Sequence, residues 1–589
     1  MAQIQVAAVF SNNMVLQRNK IISIFGWIKN DGGIPNNDLH TGTNDAPLPK
    51  PITISAQLFD KDNKLLAENR KVALRQAQDP LAAQGPLAAQ GARDQKWVLQ
   101  LEPQIQQENC TLKIWWDGGE VCFTNISIGE VWLAGGQSNM EFELGNCTEG
   151  PQALADTTGQ SGAKNVRFYY TNKIAWMDEH FFTAEKNTAW QTWDSPNKNA
   201  WSAVGFFFAK KLAQDLGCTV GIIGCNWGGT SASAWVRREY LEKDDDLHTY
   251  LTEQEEATAG KSIEQQCREY DEYEVINAAW QEKCGKLYAE NPDIKWSEVE
   301  EILGKCPWPG PRSCKNPYRP TGLYDCMVNR VLPYTIKGVL WYQGESDDHK
   351  PYSYAKLFSK LIDNWRTDWN DSQLPFVFVQ LPCHRNEYDK DFKHWCLIRA
   401  AQEKVHNMVK NTFMTCALDL GQFNDIHPKA KKVLAERLEQ NALANVYNGA
   451  CEKKPEEVLS PMVKSFIMKG AVSDTTNSYG KIVLTFENAP GGFVAREDKI
   501  NLDYYKKMEE HQGNSVSPAF TGFEIAGEDK VFYPAAYRLG QQPGELNTIT
   551  VSSPLVKNPV AVRYGWYNYG PVNIYGKNGL PLAPFSVMV

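Results

Sequence analysis

A hydroxyl, an imidazole, carboxylates and backbone-exposing glycines stand at points in this chain where together they would perform acyl transfer. Ser138 follows Gly135-Gly136-Gln137, a tight turn that can lift its Oγ clear of a preceding strand while its own N–H faces a bound carbonyl oxygen. A serine hydroxyl is a poor nucleophile at neutral pH and needs an adjacent base. Of the nine histidines, His427 suits that role best. It follows a strand-like run and a loop, and it precedes Pro428, which fits the first turn of a helix. Asp425, two residues earlier, can orient the imidazole and stabilise the imidazolium; Asp419, at the end of the preceding run, competes for the same task. Two further segments, Asn226-Trp227-Gly228-Gly229-Thr230 and Gln343-Gly344-Glu345-Ser346-Asp347, add amides, glycines and carboxylates. A serine in a Gly-rich turn is often only a turn residue, and Asp-x-His-Pro alone can cap a helix. Their joint occurrence is what points to acyl transfer.

The elements that would position these residues follow from periodicity. Residues 126–134, 220–224, 336–342, 376–381 and 412–418 are apolar bursts short enough for buried strands. Between them lie helical stripes: Ala209, Leu212, Ala213 and Leu216, stopping at Gly217; Leu357, Leu361 and Trp365; Ala430, Leu434 and Leu438. Such alternation implies an α/β core in which a parallel sheet is covered by helices on both faces. Ligands bind such a sheet beyond the carboxyl ends of its strands, which is where the segments carrying Ser138, Gly228, Gln343 and His427 fall.

Before this core, residues 1–125 read as β structure, with short runs at 21–27, 52–59, 97–101 and 111–116. Two tracts interrupt them as loops, 30–51 and a doubled Pro-Leu-Ala-Ala-Gln-Gly at 80–91, too short a repeat for a solenoid. Residues 126–450 form the α/β unit, with an insert at about 239–320. The insert is charged and helical to residue 301 and rich in Pro and Cys over 306–320. Residues 451–589 return to β patterns at 481–486, 548–551 and 561–564.

Composition narrows the partners. A hydrophobic fraction of 42% over 589 residues supplies full cores for two to four domains. The net charge of −9 argues against nucleic acid, which needs a clustered positive surface. No run approaches the roughly 18 apolar residues of a membrane helix, so membrane insertion is not expected. The opening Met1-Ala2-Gln3-Ile4-Gln5 lacks the charged and apolar regions of a signal peptide. Fourteen cysteines lack the pairing of a zinc site; buried thiols and disulfides are equally compatible with their spacing. Gly135-Gly136-Gln137-Ser138 also lacks the Gly-Lys-Ser/Thr ending of a phosphate loop.

Four blocks carry a resemblance. Gly129-Glu130-Val131-Trp132-Leu133-Ala134-Gly135-Gly136-Gln137-Ser138-Asn139-Met140, Trp227-Gly228-Gly229-Thr230, Trp341-Tyr342-Gln343-Gly344-Glu345-Ser346 and Asp425-Ile426-His427-Pro428 resemble, in the same order, the sialate O-acetylesterase family. That family is a branch of the SGNH (GDSL-like) serine hydrolases. Phe10-Ser11-Asn12-Asn13-Met14-Val15-Leu16-Gln17 resembles its opening and Val560-Ala561-Val562-Arg563-Tyr564 its close, so the likeness runs along nearly the whole chain. It implies a three-layer SGNH core flanked by accessory all-β domains, and a mechanism without metal or other cofactor. It also implies a triad of Ser138, His427 and Asp425, and an oxyanion hole from the N–H of Ser138, that of Gly228 or Gly229, and the Gln343 side chain. The compartment implied is periplasmic, secreted or lysosome-like. Asp347 and Asp325 depart from the family, which more often has Asn at both places.

The expected substrate is an acetylated sugar or glycan, sialic acid first and acetylated xylan or xyloglucan as the alternative. Asn139, Trp227 and Glu345 are candidates for touching it. Trp227, Trp235, Trp341 and Tyr342 are aromatic groups that could face a sugar ring, and Arg237 and Arg238 could hold a carboxylate; Trp341 fits strand packing better, and the arginines a solvated helix start. Glu345 fits an anchor for its loop better than a second acid. A lipase or thioesterase would need long apolar lid segments, which are lacking. A non-catalytic carbohydrate-binding protein would leave the ordered Ser, Gly, Gln and Asp/His blocks without purpose.

Overall fold

A computed structural model describes residues 3–29, 52–74, 95–159, 162–291, 294, 296–384, 394–423, 425–447, 453–470, 479–496 and 521–588. The tract 30–51, the 80–91 repeat and Cys451 lie outside these residues.

Six parallel strands form the centre: β1 (Gly119–Gly136), β2 (Val166–Tyr170), β3 (Val220–Asn226), β4 (Gly338–Tyr342), β5 (Phe376–Gln380) and β6 (Thr412–Cys416). Their spatial order is β2-β3-β1-β4-β5-β6. Burial explains why they read as unbroken apolar runs. Every residue of β3, β4 and β5 is buried, as expected where a sheet is covered on both faces.

The strand β1 has two characters. Residues 119–125 alternate between half-buried and exposed, whereas 126–136 are buried throughout. The first part pairs antiparallel with Gln107–Trp116, which pairs with Ile52–Phe59 and then Leu65–Leu74. The second part carries β3 on one side and β4 on the other. Strand Val15–Gln17 runs parallel to residues 127–129, at the start of the second part. A separate antiparallel sheet joins Gln3–Val6, Ile22–Lys29 and Gln95–Leu101.

The helices obey their local signals. In α2 (Ala203–Leu216) the Ser202 hydroxyl caps the Gly205 N–H at 3.0 Å, and Gly217 ends the helix at φ 61°. Helix α3 (Pro351–Asp368) opens on proline and buries Leu357, Leu361 and Trp365. It packs on α4 (His394–Met408), and α2 packs on α5 (Lys432–Val446). The expected helix start at Pro428 is not observed; α5 begins at Lys432. The intervening residues are held otherwise, since the Lys429 carbonyl accepts from Thr148 N–H at 3.0 Å.

The insert is helical over Arg238–Glu242, Asp245–Thr258, Ile263–Glu290 and Trp296–Leu303. It closes a small core of its own around Trp280, Cys284 and Val299. Among the described residues beyond 460, all strand pairing is antiparallel. One four-stranded sheet is built on Met462–Lys469 and Lys481–Glu487, and another on Phe523–Ala526 and Ala561–Tyr564. The thirteen described cysteines are free thiols. No helix among the described residues is long and apolar enough to cross a membrane.

Candidate active site

Gly136 closes β1 at φ +134°, and a Cβ there would stand 2.1 Å from the Tyr342 carbonyl oxygen. Only glycine lets the end of β1 lie this close to the end of β4. The turn is then pinned by Gln137, whose N–H donates to that same carbonyl at 3.1 Å. Its buried amide oxygen accepts the N–H groups of Gly344 and Ser346. Ser138 follows as the first residue of the short helix α1 (Ser138–Glu141), where an N–H has no intrahelical acceptor. Its Oγ lies 2.8 Å from His427 Nε2. These groups are 289 residues apart in sequence, and the ends of β1 and β6 bring them together.

His427 stands on a turn made by Asp425, whose Oδ1 accepts the His427 backbone N–H at 2.8 Å. The same oxygen is 3.9 Å from His427 Nδ1, beyond a direct hydrogen bond. Burial holds the imidazole below the ordinary histidine value; Asp425 pulls it back up and Lys431 pushes it further down. Asp419, the competing carboxylate, is bound at both oxygens by Arg437, at 2.7 and 2.8 Å.

Asn139 ties the helix of Ser138 to the turn of His427. It is fully buried, and its Nδ2 donates to the Ile426 carbonyl at 2.9 Å and to Glu345 Oε1 at 2.7 Å. Its Oδ1 accepts from Lys431 Nζ at 2.5 Å. Burial pushes the Glu345 carboxyl up to about 6 against the Asn139 bond and the Lys431 cation. Burial likewise brings the Lys431 ammonium down to about 8, opposed by Glu345 and Asp425. Both groups therefore lie inside the wall and brace the site rather than line an open pocket. Sequence reasoning missed Lys431. It stands four residues past His427, just before α5, and no local pattern distinguishes a lysine that will be buried.

The donors expected around the oxyanion are partly engaged. Gly228 approaches Ser138 so closely that a Cβ there would be 3.3 Å from Ser138 Cβ, but its N–H donates to Glu141 Oε2 at 2.6 Å. Glu141 also pairs with Lys173. Gly229 adopts φ +73° against Trp308 and Tyr318. Gln343 is fully buried, and its Nε2 donates to the Thr230 carbonyl at 3.1 Å and to Asp347 Oδ2 at 2.6 Å. Asp347 accepts in addition from Ser231 Oγ at 2.6 Å and Ala232 N–H at 2.8 Å, so the carboxylate standing in place of asparagine is a hub for two loops. Asp325 is half-buried, and desolvation pushes its carboxyl up to about 6.

Trp235, Trp341 and Tyr342 are buried in the core and cannot present a ring to a sugar; their type alone did not reveal this. Trp227 is half-buried. Arg237 pairs with Glu239 and Asp368, and Arg238 with Glu242 and Glu255. Among the described residues, no three His, Cys, Asp or Glu side chains are grouped to hold a metal.

Known proteins resemble this chain. Residues 310–444 match the model of the family described as carbohydrate esterase, sialic acid-specific acetylesterase. Sialate O-acetylesterase of Mus musculus is 27% identical over 348 residues, which are 55% of this chain and 57% of the mouse protein. The Homo sapiens sialate O-acetylesterase is 23% identical over 566 residues, covering 88% of this chain and 86% of its own. The chain thus spans little more than half of the mouse relative and most of the human one. The crystal structure of a carbohydrate acetylesterase from Xanthomonas citri superposes with a TM-score of 0.65 at 23% identity, covering 99% of both chains. That likeness shows a shared fold, an α/β unit with a central mixed sheet and additional antiparallel β sheets. Residues 310–444 therefore match the sialic acid-specific acetylesterase model, and the chain is similar, along most of its length, to the human sialate O-acetylesterase.

Proposed function

We propose that this protein is a serine esterase that removes O-acetyl groups from a sugar, with sialic acid as the favoured carrier. The observation that carries the reading is the 2.8 Å separation of Ser138 Oγ and His427 Nε2 at the carboxyl ends of parallel strands. The catalytic unit is an SGNH-type three-layer core over residues 126–450, with accessory β domains at 1–125 and 451–589. It works in a periplasmic, secreted or lysosome-like compartment.

In the reaction, Ser138 Oγ adds to the acetyl carbonyl carbon as its proton passes to His427 Nε2. The imidazolium, stabilised by the nearby Asp425 carboxylate, returns that proton to the departing sugar oxygen. An acetyl-Ser138 intermediate remains. Water then gives a proton to His427 and adds to the acyl carbon, and acetate leaves as Ser138 regains its hydrogen. The oxyanion first meets the Ser138 N–H. The Gly228 N–H joins it as the developing charge displaces Glu141, while Gln343 and Asp347 hold the surrounding loops. Asn139, Lys431 and Glu345 are positioning residues that keep α1 and the His427 turn in register.

Acetate release from mono-O-acetylated sialic acid, acetylated xylan and acetylated xyloglucan tests the reading. Release is expected chiefly from the sialic acid ester, and Ser138→Ala should abolish it together with labelling by a serine-directed phosphonate. Labelling that persists at another serine would overturn the assignment.

A further inference from the structure

Against the Gly228-Gly229 turn stands an aromatic pair that no part of the mechanism uses. Trp308 and Tyr318 both come from the Pro/Cys-rich end of the insert. Their rings meet edge to face with centroids 5.5 Å apart, and Trp308 Nε1 donates to the Tyr318 hydroxyl at 2.7 Å. Trp308 is 48% exposed. With its only polar hydrogen already bonded, what it offers is an apolar ring face. A single exposed aromatic needs no explanation by itself. This one is held in a fixed orientation beside the nucleophile's loop.

Two consecutive glycines make the connection. A Cβ on Gly228 would stand 3.3 Å from Ser138 Cβ, and a Cβ on Gly229 would stand 3.0 Å from both the Trp308 and Tyr318 rings. Neighbouring Cα atoms are about 3.8 Å apart, so one two-residue turn touches Ser138 at its first glycine and the aromatic pair at its second. An independent link is electrostatic. Burial pushes the Tyr318 phenol up, the Trp308 bond opposes this, and Glu141 adds to it; Glu141 is the residue that holds the Gly228 N–H.

The stretch bearing the pair is built to keep its shape. Asn316 Nδ2 donates to the carbonyls of Pro309 and Pro311 at 3.2 and 2.9 Å, and its Oδ1 accepts Tyr318 N–H at 2.7 Å. Arg319 donates to the carbonyls of Cys314, at 2.7 Å, and Ala175, at 3.2 Å, which moors the stretch to the core. Gly310, at φ +77°, packs so tightly on the Ile263–Glu290 helix that a Cβ would stand 2.5 Å from the Tyr273 ring.

We propose that Trp308, oriented by Tyr318, is the platform on which the sugar ring bearing the ester rests, making the insert the specificity element of the enzyme. Pyranose rings expose C–H faces that pack on aromatic faces, while an acetyl group alone reaches only the Ser138 cleft. The inference rests on the acetylesterase reading above.

The test compares kcat/KM for mono-O-acetylated sialic acid with that for p-nitrophenyl acetate, in the wild type, Trp308→Ala and Trp308→Phe. The ratio of the two constants should fall about tenfold in Trp308→Ala, the size of a good aromatic contact, mainly through KM for the sugar. Trp308→Phe should recover most of it. An unchanged ratio in Trp308→Ala, whether both rates hold or both fall together, overturns the platform while leaving the esterase reading intact. A wild-type enzyme that cleaves p-nitrophenyl acetate but no sugar ester overturns both.

Discussion

Replacing Asp425 by asparagine separates two things this carboxylate does. Its Oδ1 accepts the His427 backbone N–H, and an asparagine oxygen can accept it equally, so the turn survives. What disappears is a negative charge 3.9 Å from His427 Nδ1. At that distance two unit charges attract by about 1 kcal/mol in water and about 4 kcal/mol at an effective dielectric of 20. The histidine and aspartate side chains are 38% and 37% exposed, so water screens them and the lower part of the range applies. Losing about 1–2 kcal/mol of imidazolium stabilisation lowers kcat/KM by roughly 5- to 30-fold. That is far short of the about 10⁴-fold seen where the acid bonds Nδ1–H and fixes the tautomer, because here that bond is not made. The assay is kcat/KM on p-nitrophenyl acetate across pH. Since Asp425 raises the imidazole's pKa, its removal should also move the acid limb of the profile to lower pH. A loss below twofold would refute the reasoning and leave a Ser–His dyad. A loss near 10⁴-fold would refute it in the other direction, with Asp425 bonding Nδ1 during turnover.

In the proposed mechanism neutral His427 is the active form, and burial depresses its pKa. The acid limb of kcat/KM should therefore lie below the ordinary histidine value of about 6.5, and a limb at or above it would contradict the burial argument. Chelators should leave the rate unchanged, because Ser138 and His427 need no Lewis acid. Asp419→Asn breaks a shielded bidentate pair with Arg437 and should cost about 1–3 kcal/mol of stability, read as a lower Tm, with turnover per folded enzyme within about threefold of wild type.

Much of this architecture was legible because its constraints are local. Strands at 220–226 and 376–380 are short apolar runs buried on both faces, which few other conformations accommodate. Gly217 stops α2 at a left-handed position that favours glycine. The serine and histidine stand at the ends of such strands, so their meeting followed from the sheet rule. The rest depended on distant partners. Pro428 looks like a helix start, but the Asp425 turn and the Thr148 contact delay α5 to Lys432. Gln343 looks like a free donor, but Thr230 and Asp347, brought in by tertiary folding, take up its amide hydrogens. Lys431 and Trp308 are invisible for the same reason: one is buried by Asn139 and the other aimed by Tyr318, and neither partner is next to it in sequence.

The strand β1 carries a consequence for how the protein melts and how it can evolve. Its first half completes the antiparallel sheet at the amino end of the chain, and its second half is central to the parallel sheet and delivers Ser138. One continuous hydrogen-bonded ladder therefore couples the two regions. Severing the chain at residue 126 would cut through a strand rather than a linker, exposing its pairing groups and removing Val15–Gln17 from beside it. The amino-terminal β region is thus joined to the Ser138-bearing sheet through a shared strand rather than a linker. A substitution such as Ile114→Ala, deep in that region, would loosen from afar the strand that leads to Ser138.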